Sequence, residues 1–175
     1  MSITDSQLAR VLQDITVIVD TREQKNQHIL EYLKDNNIPY IKTALSIGDY
    51  SLMLPHYPEI GVDKKFLVER KNSLNEIASN MGQNRDRFMR EFERITDETI
   101  HLVIENASWT KILNHSYRSK LPPKSFMANL MTISIRYGCP TWFTKPEYSG
   151  EIIYHLLRYE LREYLKNNRN NIIIG

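Results

Sequence analysis

Apolar runs of strand length recur along the chain at "TVIVD" (Thr16 to Asp20), "FLVER" (Phe66 to Arg70) and "IHLVIE" (Ile100 to Glu105), and stretches of helical periodicity lie between them. A strand apolar at successive positions leaves no face for water and must be covered on both sides. Alternation of such strands with helices predicts an α/β fold, a mixed central sheet flanked by helices.

The remaining elements follow from local signals. Thr4 with Gln7 reads as a capping box before a short helix. A helix is expected over His28 to Lys34, closed by Asn36 and Asn37, and then two extended segments, "PYIKTALSI" and "DYSLML", around a turn at Gly48. "HYPEIGVD" reads as a loop, and Ser73 can cap a helix running to about Met81. "NRDRFMREFERI" is helical by period, with Phe88, Phe92 and Ile95 on one side and charges on the others. A short helix near "SWTKIL", a longer one over Lys124 to Tyr137 opened by Pro122 and Pro123, a strand "TWFT" and a last helix from Gly150 towards Lys166 complete the reading. No internal repeat is visible, and only "KNNRNN" approaches low complexity.

At 175 residues the chain suits one domain. The expected layout is a motif-bearing core over 16–105, a helical part over 106–166 and a polar tail over 167–175. The net charge of +2 does not by itself demand a nucleic-acid partner, but Arg85, Arg87, Arg90 and Arg94 cluster in one short segment. Cys139 is the single cysteine, so neither an intrachain disulfide nor a cysteine zinc site can form. The polar N-terminus lacks a signal-peptide core and no run is long enough to span a bilayer. An intracellular protein without a membrane partner is expected, cytoplasmic if it comes from a prokaryote or a phage.

Candidate chemistry rests on Asp20, Glu23, Asp49, Glu69 and Lys71. Taken singly, each is readily a strand-end or turn charge. Taken together, Asp20 and Glu69 end apolar strands and Asp49 opens another, so one sheet edge can gather carboxylates where α/β sheets carry their sites. Glu69 and Lys71, two apart on a strand, point to the same face. Oxygen ligands of this kind suit Mg²⁺ or Mn²⁺. A lysine beside them could orient or deprotonate a water, or offset charge on a phosphate. Other chemistries lack their patterns: the five histidines are scattered without HExxH spacing, there is no GxSxG elbow and no Walker or dinucleotide glycine pattern, and Cys139 between Gly138 and Pro140 reads as structural.

"VDTRE" (Val19 to Glu23), "GDY" (Gly48 to Tyr50) and "VERK" (Val68 to Lys71), in that order, resemble the nuclease domain of the XPF-type structure-specific endonucleases, the ERCC4-domain family. "NRDRFMREFERI" and "IHLVIE" resemble the helix and core strand that follow. The resemblance covers Thr16 to Glu105 by motif and continues by pattern. It implies a restriction-endonuclease-like fold and divalent-metal-dependent DNA cleavage, on branched or flap-like DNA in recombination, repair or replication. Carried onto this sequence, it implies that Asp49 and Glu69 bind the metal, with the backbone carbonyl of Arg70 as a further ligand. Asp20 and Glu23 complete the acidic cluster, Lys71 is the catalytic lysine, and Arg70 supports the site or contacts a phosphate. Tyr50 packs. Arg85, Arg87 and Arg90 either follow the DNA backbone or form a solvated helix face held by ion pairs with Asp86, Glu91 and Glu93.

Two departures stand out. Where the family motif continues ERKxxxD, this chain has Asn75, an amide that can orient a group but adds no negative charge. No helix-hairpin-helix module is expected within these residues, so a preference among branched DNAs does not follow. The family often dimerises, and Ile152, Ile153, Leu156, Leu157, Leu161, Tyr164 and Leu165 form a broad apolar stripe on the last helix, suited to a homodimer or to packing on its own domain. An accessory subunit could supply substrate choice. The alternative from another class is a DNA-binding or scaffolding protein of this fold with no turnover. A sequence-specific restriction enzyme is a further rival, against which the short loops speak.

Overall fold

The computed structural model describes residues 3–82 and 85–172. Asn84, at the head of the expected arginine and phenylalanine helix, and residues 173–175 of the polar tail lie outside them. The elements run α1 (Asp5–Val11), β1 (Thr16–Val19), α2 (Gln27–Asp35), β2 (Tyr40–Lys42), β3 (Tyr50–Met53), β4 (Phe66–Lys71), α3 (Leu74–Gly82), α4 (Arg85–Glu93), β5 (Thr99–Glu105), α5 (Trp109–Leu113), α6 (Pro123–Tyr137), β6 (Thr141–Thr144) and α7 (Pro146–Asn167). The capping box forms as read: Thr4 Oγ1 accepts the Gln7 N–H at 3.2 Å, and Gln7 Oε1 accepts the Thr4 N–H at 2.9 Å. Ser73 likewise accepts from the Glu76 N–H at 3.3 Å at the start of α3. α7 begins at Pro146, ahead of the expected Gly150, because proline preset at a first helical position needs no polar cap to start a helix. Ile95 falls just past the end of α4.

The strands form one six-stranded sheet in the order β2-β1-β3-β4-β5-β6. β1 is parallel to β2 and antiparallel to β3, β3 is antiparallel to β4, and β4, β5 and β6 are parallel. The segments on either side of Gly48 therefore do not pair with each other; they border β1 from opposite sides. Their connection is drawn across the end of β1 by hydrogen bonds from Thr43 N to Val19 O and from Leu45 N to the Asp20 carboxylate.

Strand alternation divides the core in two. Val17, Val19, Leu52, Phe66, Val68 and Val103 pack beneath α1, α2 and α7, where Ile29, Leu33, Ile153, Leu157, Leu161 and Leu165 meet them. Leu67, Ile100, Leu102 and Ile104 pack on the other face against Ile77, Met81, Phe88, Phe92, Phe126 and Ile133 of α3, α4 and α6. β1, β3, β4 and β5 are covered on both faces, as the continuous apolar runs require, while β2 at one edge is exposed and β6 at the other is half-buried to exposed. Among the described residues no helix is long and apolar enough to cross a membrane.

Candidate active site

β4 delivers chemistry to both faces of the sheet. Glu69 and Lys71 share the side of Leu67, towards α3 and α4, while Arg70 shares the side of Phe66 and Val68, towards α2 and α7.

On the first face lies a cleft of about 720 Å³ bordered by Asp49, Glu69, Lys71, Glu76, Glu91, Arg22, Arg87, Arg90 and Arg94. Asp49 is fixed by its main chain, whose N–H donates to Val68 O and whose carbonyl accepts from Asp20 N, both at 2.8 Å. Its Oδ2 accepts the Arg70 N–H at 2.8 Å. Gly48 makes this approach possible: it has φ +75°, and a Cβ there would stand 3.3 Å from Val68 O. Burial first, then the charges of Glu69 and Glu23, push the Asp49 carboxyl well above the usual range. Lys71 Nζ donates to Glu69 Oε1 at 2.6 Å and lies 5.5 Å from the centre of the Phe88 ring. Burial opposes its charge, but Glu69, with Asp49 and Glu76, outweighs burial and raises its pKa. In this arrangement Lys71 is held as the ammonium, able to donate hydrogen bonds and to offset negative charge.

The other expected site residues stand behind this cleft. Asp20 is 1% exposed, and its carboxylate accepts from Arg22 N, Arg22 Nε, Arg22 Nη2 and Leu45 N. Burial alone would raise its pKa, but these bonds hold it below the usual value. Its work is to tie the end of β1 to the β2–β3 connection and to aim Arg22, whose side chain is 69% exposed, along the cleft rim.

Arg70 is 5% exposed and makes a closed network on the second face. Its Nε and Nη2 donate to Glu105 Oε1 and Oε2 at 2.8 and 2.9 Å, its Nη1 to Glu23 Oε1 at 2.7 Å, and Nη2 also to Lys25 O at 3.2 Å. Tyr50, fully buried as expected of a packing residue, donates to Glu23 Oε1 at 3.2 Å. His28 Nε2 lies 2.8 Å from Glu105 Oε1. With four of its five N–H donors bonded on this buried face, the guanidinium points away from the cleft, and it is the main chain of Arg70 that faces the site. Burial opposes ionisation of Glu105, but Arg70, then Ser149 and His28, outweigh it and lower its pKa; for Glu23 burial prevails and the pKa rises.

Of the three arginines singled out on α4, Arg87 and Arg90 border the cleft, whereas Arg85 donates to Asn129 Oδ1 at 3.2 Å and lies near Asp86. Among the described residues Arg87, Arg90 and Arg94 form no close ion pair, although Glu91 of the same helix also borders the cleft and feels the charges of Arg87 and Arg94. Asn75 turns away, its Oδ1 accepting the Arg118 N–H at 2.7 Å, and its neighbour Glu76 enters the cleft. Arg22, Glu76, Glu91, Arg94 and Glu105 complete what sequence reasoning left out of the site. Cys139 is buried, and burial pushes its thiol up to about 12, in line with a structural role.

The donor set can be tested against a metal. Asp49 and Glu69 supply two carboxylates to one cleft, and crowding of negative charge there already raises Asp49. Among the described residues no group of three His, Cys, Asp or Glu side chains is close enough to form a complete cage. Two carboxylate donors beside an open cleft fit a hard cation that takes a few carboxylates and keeps its waters.

Sheet order, the helices on both faces and a cleft at the strand ends that sets carboxylates beside basic side chains define a restriction-endonuclease-like domain. The family model described as the ERCC4 domain matches residues 19–156. The chain belongs to the ERCC4 domain family. Its fold is that of the XPF nuclease domain: XPF from Aeropyrum pernix superposes with TM-score 0.62 at 24% identity, over 89% of this chain and 69% of that one. A second structure of XPF from Aeropyrum pernix, in complex with DNA, superposes with TM-score 0.63 at 22% identity, over 85% of this chain and 66% of that one. No curated protein matches the chain by sequence.

Proposed function

We propose that this chain is a divalent-metal-dependent DNA endonuclease that hydrolyses phosphodiester bonds, acting on branched or flap-like DNA in recombination, repair or replication. The observation that carries the reading is the convergence of Asp49, Glu69 and Lys71 in one cleft whose opposite wall carries Arg87, Arg90 and Arg94. Family membership and the likeness to an XPF structure bound to DNA support the substrate class.

Asp49 and Glu69 would hold Mg²⁺ or Mn²⁺ with the backbone carbonyl of Arg70, and the bound ion would supply Lewis-acid activation of the phosphate and a more acidic water. In this reading the Lys71 ammonium orients the water and offsets charge building on the phosphate oxygens. Arg22, Arg87, Arg90 and Arg94 grip flanking phosphates, and the saturated Asp20 and Arg70 networks keep Asp49 and Glu69 in place. Asp20, Glu23 and Arg70 thus serve as positioning residues, and Asn75 braces α3 against the loop before α6.

The test is cleavage of labelled single-stranded, duplex, flap, fork and four-way-junction DNAs in Mg²⁺ or Mn²⁺, with cut sites mapped. Cleavage of at least one branched form, abolished in Glu69→Gln and Asp49→Asn while DNA binding persists, is the expected outcome. Binding without any cleavage by the wild type would instead favour the scaffolding alternative.

A homodimer is part of the same proposal. Ile153, Leu157, Leu161 and Leu165 of the apolar stripe are consumed by the domain's own core, but Ile152 and Leu156 border a shallow groove with Trp142 and Tyr159, which are 42% and 56% exposed. Light scattering at low concentration should give twice the chain mass, and a monomer mass that persists at high concentration would remove this part. An accessory subunit would act through the same exposed edge.

A further inference from the structure

We propose that Glu76 is a positioning residue that gives the Lys71 ammonium a second seat, so that Lys71 moves from Glu69 to Glu76 when a divalent cation enters the cleft. The inference rests on the metal-binding reading of Asp49 and Glu69.

The conflict it resolves is geometric. Lys71 Nζ stands 2.6 Å from Glu69 Oε1, on an oxygen of one of the two carboxylates offered to the metal. A cation arriving there competes for that oxygen and repels the ammonium. Lys71 is only 8% exposed and cannot simply swing into water, and an ammonium left in that setting needs a counter-charge. Glu76 Oε1 waits 3.9 Å from the same Nζ, so a shift of about 1 Å makes a full hydrogen bond. The ring of Phe88 beneath the ammonium is a surface over which it can move between the two carboxylates.

Glu76 is held ready. Its Oε2 accepts the Asn72 N–H at 3.0 Å and its own N–H donates to Ser73 Oγ, which leaves Oε1 to face Lys71 from the first turn of α3. A helix-capping role alone would account for Oε2 and not for the direction of Oε1. Glutamine keeps the capping acceptor and removes the charge, so Glu76→Gln separates the two roles.

The experiment is calorimetric titration of Mn²⁺ into the full chain, with no DNA, for the wild type, Glu76→Gln, Lys71→Met and the double variant, with Glu69→Gln as the site control. Glu76→Gln should weaken Mn²⁺ binding by about tenfold, the scale of losses at residues that support metal ligands. In the Lys71→Met background, where no ammonium has to leave Glu69, the same substitution should change affinity less than about twofold. An equal loss in both backgrounds, or no loss in the first, overturns the second seat while Glu69→Gln still abolishes binding. Mn²⁺ binding that survives Glu69→Gln, or is absent in the wild type, overturns the metal reading and the seat with it.

Discussion

On the α3–α4 face of β4, Glu69 and Lys71 open onto a cleft where acidic groups crowd and where, among the described residues, Arg87, Arg90 and Arg94 make no close ion pair. On the α2–α7 face, one residue away, Arg70 is enclosed by Glu105, Glu23 and the Lys25 carbonyl, with four of its five N–H donors used. Residues of the same kind thus have opposite fates. Charge left unbalanced can act on something that arrives, whereas charge fully matched and buried can only hold the fold. Asp20 belongs to the second kind although it sits beside the first.

The sharpest way to break that contrast is to disable each face in turn. Arg70→Met should lower the unfolding free energy in urea by about 3–5 kcal/mol, because Glu105 and Glu23 stay buried without the guanidinium, leaving only His28 and the Tyr50 hydroxyl beside them. Glu69→Gln keeps an acceptor for Lys71 and leaves Asp49 and Glu76 as its counter-charges, so it should cost clearly less stability than Arg70→Met while lowering cleavage at least about a thousandfold. Adding Glu105→Gln to Arg70→Met should recover part of the stability. A stable Arg70→Met protein, or an unfolded Glu69→Gln protein, would erase the distinction between the faces.

A smaller effect separates the faces by pH. The Glu105 carboxyl titrates below its ordinary value in the folded chain, so its stabilisation is fully present above about pH 4.3 and is lost as pH falls through the lowered folded pKa. Asp49 has the opposite sign: its raised pKa lets the folded chain take up the proton first, so stability falls as pH rises from about 3.9 through the folded value. In chelator-treated buffer, Asp49→Asn should therefore be more stable than the wild type at neutral pH, with the gap closing towards pH 4. Glu105→Gln should be less stable at neutral pH, with its deficit shrinking only in stronger acid. Melting curves across pH check both signs.

The smallest effect concerns the cleft wall. Arg87→Ala and Arg90→Ala should each weaken duplex DNA binding and reduce the slope of log affinity against log salt by about 0.9. Arg85→Ala, whose side chain is turned to Asn129, should leave the slope unchanged.

Asp49, Glu69 and Lys71 were legible because each stands at the end of an apolar strand, where a charge on a strand-end position has to face the sheet edge. The same rule applied to "IHLVIE" would have found Glu105, which ends β5 as Glu69 nears the end of β4. Glu76 was hidden by its other identity, the fourth residue of a capping pattern that begins at Ser73. Arg22 lay inside the first motif yet was overlooked, since its aim depends on a carboxylate it shares with Leu45. The separation of β2 from β3 by β1 was beyond local signals, because strand order follows from contacts between segments far apart in the chain. Asn75 was picked out by its departure from a pattern, and its partner, Arg118 N, comes from a loop that no motif touches.

The register of β4 against β5, from Phe66 opposite Thr99 to Lys71 opposite Ile104, also sets where the chain can change length. One residue inserted between Phe66 and Glu69 would turn the guanidinium into the cleft and drive Glu69 and Lys71 against Glu23 and Glu105, since side chains alternate at every step. The turn from Pro55 to Glu59, exposed apart from a half-buried Tyr57 and tied to Asp14 through His56, is not bound to strand alternation. Length variation among relatives should therefore gather in that turn and be absent from the strand, and tags or reporter loops intended for this protein belong there.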